Sequence, residues 1–227
     1  MNMKELLFCC KHFKKSLQFI NFSFSQEGED VVIDRLLDYK KDGFYVDLGA
    51  HHPICYSNTL KFYVKGWHGL NIDAMPGSMK LFQKIRPRDI NIEAGISDYD
   101  ADILYFDFQE KALNTFDSEL AKSHIDKGHK LERQIHVKTK PINSLLDMYV
   151  PAGQSIDFMD IDIEGFDTKI VSAIDWKKYR PSLVLVEAPS QAQNAVDKLN
   201  CFSALTESGY KLIATTGRTC IYCCSSQ

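Results

Sequence analysis

The stretch FYVDLGAHHP, Phe44 to Pro53, decides how the rest of the chain is read. Phe44 to Leu48 is a run of β-formers, apolar at odd and even positions alike. That is the pattern of a strand covered on both faces, and hence of a parallel sheet. The run ends at Gly49, a residue that permits a tight turn and a close backbone approach to a ligand. Asp47 stands just before the turn, and His51 and His52 follow it against Pro53. Open α/β sheets bind their ligands at the carboxyl ends of such strands.

Outward from this stretch, strands and helices alternate. Gly69–Ile72, Ile90–Ala94, Ile156–Ile161 and Leu183–Val186 read as further strands. Asn58–Val64, Ser78–Ile85, Thr168–Ile174 and Ala192–Ser208 read as the helices between them, the first stopped by Gly66 and the second by Pro87. Upstream, "SQEGEDVVIDRLLDY" predicts a helix that Ser25 can cap, with Glu27, Glu29 and Asp30 at its positive end. Ala101–Phe108 reads as an extra strand pairing near Ile135–Thr139, followed by a short helix from Ile142 to Tyr149. Tyr210–Ala214, the turn Thr216-Gly217-Arg218 and Cys220–Cys223 read as a hairpin. Repeated β-α-β units call for a mainly parallel, doubly wound α/β sheet. The C-terminal hairpin then supplies an antiparallel strand, expected at the sheet's edge.

Residues 1–24 read as an N-terminal helical segment and 25–227 as a single domain. The first segment mixes lysines with Leu6, Leu7, Phe8, Phe13, Leu17 and Ile20 at helical spacing. A helix packed on the domain or a partner is expected, with a membrane-surface position as the alternative. Phe8, Phe13 and Phe19 point to a homodimer contact. No apolar run approaches the roughly 20 residues that span a bilayer. These features place the chain in the cytoplasm, with the inner membrane face as a peripheral station.

A net charge of −3 and a pI near 6.2 give no reason to expect nucleic acid as a partner. The 7 cysteines do not form a disulfide framework, because Cys9-Cys10 and Cys223-Cys224 are adjacent pairs. The C-x-x-C-C run from Cys220 lacks a second ligand pair at zinc-site spacing, so free thiols in a reducing compartment are expected.

The strand ends carry the chemistry. Asp47 and Gly49-Ala50 follow the first strand, Asp73-Ala74 the second, and Asp162 and Glu187 the later pair. A carboxylate such as Asp73 can accept both hydroxyls of a ribose, and Asp47 suits a cationic ligand. One glycine is too few to wrap a pyrophosphate, so a nucleoside without one fits better. S-adenosylmethionine (SAM) meets that description.

The residues SQEGED (25–30), FYVDLGAHHP (44–53), SNT (57–59), GWHGLNIDAMP (66–76), GISD (95–98), DFMDIDIEGFD (157–167) and LVLVEA (183–188) resemble the FkbM-type family of class I SAM-dependent methyltransferases. The likeness covers most of residues 24 to 215. Where family members more often carry GANxG, this chain has Gly49-Ala50-His51-His52-Pro53. The resemblance implies a Rossmann-like class I methyltransferase fold. It also implies that Asp47, Gly49 and Ala50 meet the methionine part of SAM and that Asp73, with Ala74 beside it, holds the ribose. Gly95 and Ile96 would then border the adenine, and Gln26 would stand at the cofactor's mouth.

Methyl transfer to a hydroxyl needs the acceptor's proton removed. His51 and His52 are candidates for that base, and Asp162 and Glu164 form a second set. With Glu187 these acids could hold a divalent cation such as Mg²⁺. The expected activity is SAM-dependent O-methylation of a sugar hydroxyl in a bacterial surface polysaccharide or glycoconjugate, with 110–133 as an acceptor-side insertion. A non-catalytic SAM-fold interaction module and a metal-dependent hydrolase using the His/Asp/Glu cluster are the alternatives.

Overall fold

A computed structural model describes residues 5, 20–163, 165–188 and 202–225. The main body is a seven-stranded sheet. Its members are β1 (Phe44–Leu48), β2 (His68–Asp73), β3 (Ile90–Glu93), β7 (Phe158–Ile161), β8 (Leu183–Glu187), β9 (Tyr210–Thr215) and β10 (Thr219–Cys224), in the order β3-β2-β1-β7-β8-β10-β9. The neighbours from β3 through β8 pair in parallel. β10 pairs antiparallel with both β8 and β9, so β9 again runs with the parallel set. The antiparallel strand is therefore internal, and the expectation that it forms the edge is corrected. A hairpin that folds back between β8 and its own partner satisfies two ladders where an edge position would satisfy one.

Strand alternation sorts the core. Phe44, Val46 and Leu48 of β1 face one way, into a cluster with Met159, Ile161, Val184 and Val186. That cluster is covered by α5 (Ile142–Tyr149), α6 (Asp167–Ala173) and α7 (Ser203–Glu207), which contribute Leu145, Leu146, Ile170, Val171 and Leu205. Tyr45 faces the other way, with Phe158, Leu185 and Ile221. There α1 (Glu29–Leu36) brings Ile33 and α2 (Leu60–Val64) brings Phe62. Trp67 fills the same cluster, against Phe62 and Phe158, as packing. α3 (Met79–Ile85) closes this side, with Met79 and Phe82 on Ala50. Helices on both faces make the sheet doubly wound, as the sequence predicts.

The described helices are shorter than periodicity suggests. α1 begins at Gly28 in a left-handed conformation, and Ser25 reaches the Asp30 amide from three positions farther upstream without being the cap residue itself. Most of the helix expected at Ala192–Ser208, and nearly all of the N-terminal segment, lie outside the described residues.

A second, three-stranded sheet has the order β4-β6-β5, from β4 (Gly95–Ser97), β5 (Ala101–Phe108) and β6 (Leu131–Pro141). β5 and β6 form the expected antiparallel pair, but β6 is 11 residues long and begins inside the stretch read as an insertion. Between β5 and β6 come a 3-10 turn, Lys111–Leu113, and α4 (Ser118–Asp126). Asp117 caps α4 by accepting from the amides of Glu119 and Leu120.

Candidate functional site

The chain reverses its direction of growth across the sheet between β1 and β7, and the carboxyl ends of those strands open into a cleft of about 940 Å³. A switch point of this kind separates the two helix layers and leaves room above the strands. Gly49 and Asp162 pack directly against each other at the ends of β1 and β7. Gly49 has a φ of +90, and a Cβ at that position would lie 1.8 Å from the Asp162 carbonyl oxygen. The amides of Gly49 and Ala50 both donate to the Ile72 carbonyl, at 2.9 and 3.1 Å, which locks the turn over the end of β2.

Asp73 organises the next corner. One carboxylate oxygen accepts from the His51 amide at 2.9 Å and the other from the Met75 amide at 2.8 Å. Burial pushes its pKa up to about 6, against the pull of those two N–H groups. The Ser78 hydroxyl lowers it as well, and of the roughly four acceptor sites on a carboxylate those beyond these partners serve a ligand. Ala74, Ala94 and Ile96 line the cleft beside it, and the Tyr105 and Phe116 rings, 4.7 Å apart, face the same space.

Beneath the turn, β1 and β7 place Asp47 and Asp160 side by side in register. Both are almost fully buried. Asp47 accepts from the Thr59 hydroxyl at 2.7 Å, and Asp160 from the Asn58 side-chain amide at 2.8 Å. Burial raises the Asp47 pKa to about 6, while Thr59 and Arg86 pull it back. Burial and the neighbouring Asp47 push the Asp160 carboxyl well above the usual range. The pair titrates as a unit, with Asp160 holding the proton more tightly.

A carboxyl whose pKa is higher in the folded than in the unfolded chain adds stability below its unfolded pKa. That contribution is lost as the pH rises through the folded value. Asp160→Asn removes one such group and keeps an oxygen to accept from Asn58. The variant is expected to unfold at higher denaturant than the parent at neutral pH, by about 1 kcal/mol or more. The advantage should vanish near about pH 2, where both carboxyls are protonated in either state. Urea titrations at the two pH values check this, and a variant less stable at neutral pH would refute it.

The two histidines part company. His51, at φ +51, lines the cleft half-buried, and burial lowers its pKa, so its imidazole is neutral at neutral pH. His52 turns its Nδ1 to the amides of Ile54 and Cys55, at 3.1 and 2.9 Å, and thereby shapes the loop. It is not among the cleft-lining residues. Burial, His51 and Arg86 all lower its pKa.

The strand of Asp160 ends at Ile161, so Asp162 stands exposed at the rim. Glu187, ending β8, lies against Asp162 and is ion-paired with Arg218 from the β9–β10 turn. Burial raises the Glu187 pKa, with Arg218 opposing. Arg218 thus supplies the positive charge that a metal reading assigns to Mg²⁺. Among the described residues no group of three histidine, cysteine or acidic side chains is placed to hold a metal. Glu164 lies outside the described residues. Asp167 accepts from the amides of Ile163 and Gly165 and so folds the DIEGFD loop upon itself.

Of the remaining expected residues, Gln26 lines the cleft. Its segment is tied to the C-terminal hairpin: Glu27 accepts from the Arg218 amide and Glu29 from the Thr216 hydroxyl. Gly95 lies buried in β4 against Thr139 and is not a lining residue, whereas Ile96 is. The 3-10 turn and α4 line the outer wall through residues such as Asn114, Leu120 and His124.

Sequence reasoning did not single out Tyr56, Tyr105, Phe116 or Arg218 as cleft residues. Arg218 reads as ordinary turn chemistry until the β8–β10 pairing sets it opposite Glu187. The partnership of Asp47 with Asp160 carries no local signal either.

Among curated proteins, none matches the chain in sequence. A search of solved structures finds a TehB-like SAM-dependent methyltransferase from Corynebacterium glutamicum. It is 9% identical, with a TM-score of 0.42 over 99% of this chain and 100% of that one. The family model of the methyltransferase FkbM domain matches residues 47–212, from the aspartate of β1 into β9. That span takes in the carboxyl ends of both strands of the switch point, with Asp73, Asp160, Asp162, Asp167 and Glu187, and the chain belongs to the FkbM-domain methyltransferase family.

Proposed function

We propose that the protein transfers a methyl group from SAM to a sugar hydroxyl of a surface polysaccharide or related glycoconjugate. The observation that carries this reading is the cleft at the switch point, which the Gly49 turn and the Asp73 carboxylate both line. The residues present fit the cofactor. Asp73 would accept from the ribose hydroxyls, and the apolar surface of Ile96, Tyr105 and Phe116 suits a purine face. The Asp47 carboxylate favours a positive charge nearby. When bound, SAM supplies an activated methyl group on a sulfonium.

The protein's own part is then to orient the acceptor, exclude water and accept a proton. Neutral His51, facing the cleft with its backbone fixed by Asp73, serves as that acceptor of the proton. The wall built by the 3-10 turn and α4 would select the acceptor, since connecting segments over strand ends carry specificity. Glu187 is paired with Arg218, and among the described residues no group of three histidine, cysteine or acidic side chains is placed to hold Mg²⁺.

Calorimetry with SAM tests the cofactor, and the mass gain of one methyl on candidate glycans, with labelled SAM, tests the acceptor. His51→Gln is expected to lower kcat about 100-fold or more, the usual share of a positioned base, with the Kd for SAM within about threefold. An unchanged kcat would remove His51 from the chemistry.

A further inference from the structure

We propose that Arg86 and Thr59 are positioning residues that hold Asp47 in place as an anion beneath the cofactor's sulfonium, although neither lines the cleft. The inference rests on the SAM reading and adds to it residues that no ligand touches.

Arg86 follows α3 and is wholly buried, at 0% exposure. A buried guanidinium is tolerated only where its donors are spent. Here Nε donates to the Pro53 carbonyl at 3.0 Å, one terminal nitrogen to the Ser57 hydroxyl at 2.7 Å, and the other to the Thr59 hydroxyl at 2.8 Å. The Thr59 oxygen accepts from Arg86, and its O–H donates a hydrogen bond to Asp47, 2.7 Å away. The hydroxyl is thereby oriented, so Asp47 receives a donor that cannot turn away.

The same fork grips both ends of the loop from Pro53 to Thr59. Tyr56 and Asn58, between those anchors, line the cleft, and Asn58 reaches Asp160. One side chain below the floor thus sets the loop and the floor's charge together.

That charge needs support. Asp160 on β7 lies in register with Asp47, Asp73 ends β2, and Asp89 stands behind Asn71. Glu29 of α1 and Asp167 of α6 face Asp160. Arg86 is the cation that acts on Asp47 against Asp89 and Asp73, which raise its pKa along with burial. Removing the Thr59 hydroxyl would raise the Asp47 pKa further, toward neutral pH, and weaken the counter-charge offered to the sulfonium.

SAM and its demethylated product S-adenosylhomocysteine separate this role from a merely structural one. They share ribose and adenine, so the contribution of Asp73 cancels in their affinity ratio, and the sulfonium charge does not. Calorimetry of both ligands between about pH 5 and pH 8 is compared for the parent, Thr59→Val and Thr59→Ser. In the parent the preference for SAM should fall as the pH drops through about 6. In Thr59→Val that fall should move up by about one pH unit, weakening SAM about tenfold near pH 5 and about twofold at neutral pH, with the product changed less than SAM at both. Thr59→Ser, which keeps the hydroxyl, should follow the parent. Equal loss of both ligands with an unmoved profile would overturn the proposal. Should the valine variant not fold, Thr59→Cys offers a group of similar size and weak donor strength for the same comparison. A parent that binds neither ligand overturns the cofactor reading itself.

Discussion

Gly49→Ala is expected to abolish cofactor binding. The new Cβ would lie 1.8 Å from the Asp162 carbonyl oxygen, far inside contact distance, and that oxygen belongs to backbone with no side-chain freedom to yield. The φ of +90 adds a conformational cost of about 1–3 kcal/mol for any residue with a Cβ. Relief must come from parting the ends of β1 and β7, which moves the Asp47–Asp160 floor and the loop above it. We expect SAM affinity to fall by about 100-fold or more, with a stability loss of about 2–4 kcal/mol typical of a strained buried site. Gly153→Ala separates the two causes. Gly153 has a φ of +77 with nothing within 4 Å of its would-be Cβ, so it should show only the backbone cost of about 1 kcal/mol and bind SAM as the parent does. Parent-like SAM binding by Gly49→Ala would mean that the cleft is not built around this turn.

Asp73→Ala should be nearly as severe, for a different reason. Asp73 holds the His51 and Met75 amides and, on the reading proposed above, the ribose as well. Hydrogen bonds to a charged group contribute about 1.5–3 kcal/mol each, so losing two from the ligand implies a fall in affinity of about 100- to 10,000-fold. SAM and its product should suffer alike, since both carry the ribose. Asp73→Asn keeps one acceptor oxygen and should fall between. Asp73 ionises at about 6, so parent affinity for both ligands should also weaken as the pH falls through that value. A parent-like Kd for either ligand in Asp73→Ala would place the ribose elsewhere.

Phe44–Leu48 was legible as a buried parallel strand because its residues are apolar on both faces, and Gly49 as a turn because nothing else follows such a strand so tightly. The acids at strand ends, Asp47, Asp73, Asp162 and Glu187, could be located for the same reason: the end of a strand is a local event. His51 and His52 could not be told apart. Their divergence depends on a φ of +51 at one and on two loop amides facing the other. Residues 110–133 resisted assignment because α4 fully buries a single small residue, Ala121, and β6 gains its extent from pairing with β5.

The sequence by itself determined the alternation of strands and helices, the doubly wound class and the strand-end residues available for a site. These rest on periodicity and turn chemistry within a few residues. Only the tertiary structure decided that Asp47 shares its burial with Asp160, that Arg218 answers Glu187, and that Arg86 leaves the surface to grip the loop above the cleft. Each of these depends on which strands become neighbours, and β1 lies beside β7 although five strands, β2 to β6, separate them in sequence. A carboxylate's charge is set by the groups packed against it, and those arrive only when the chain closes.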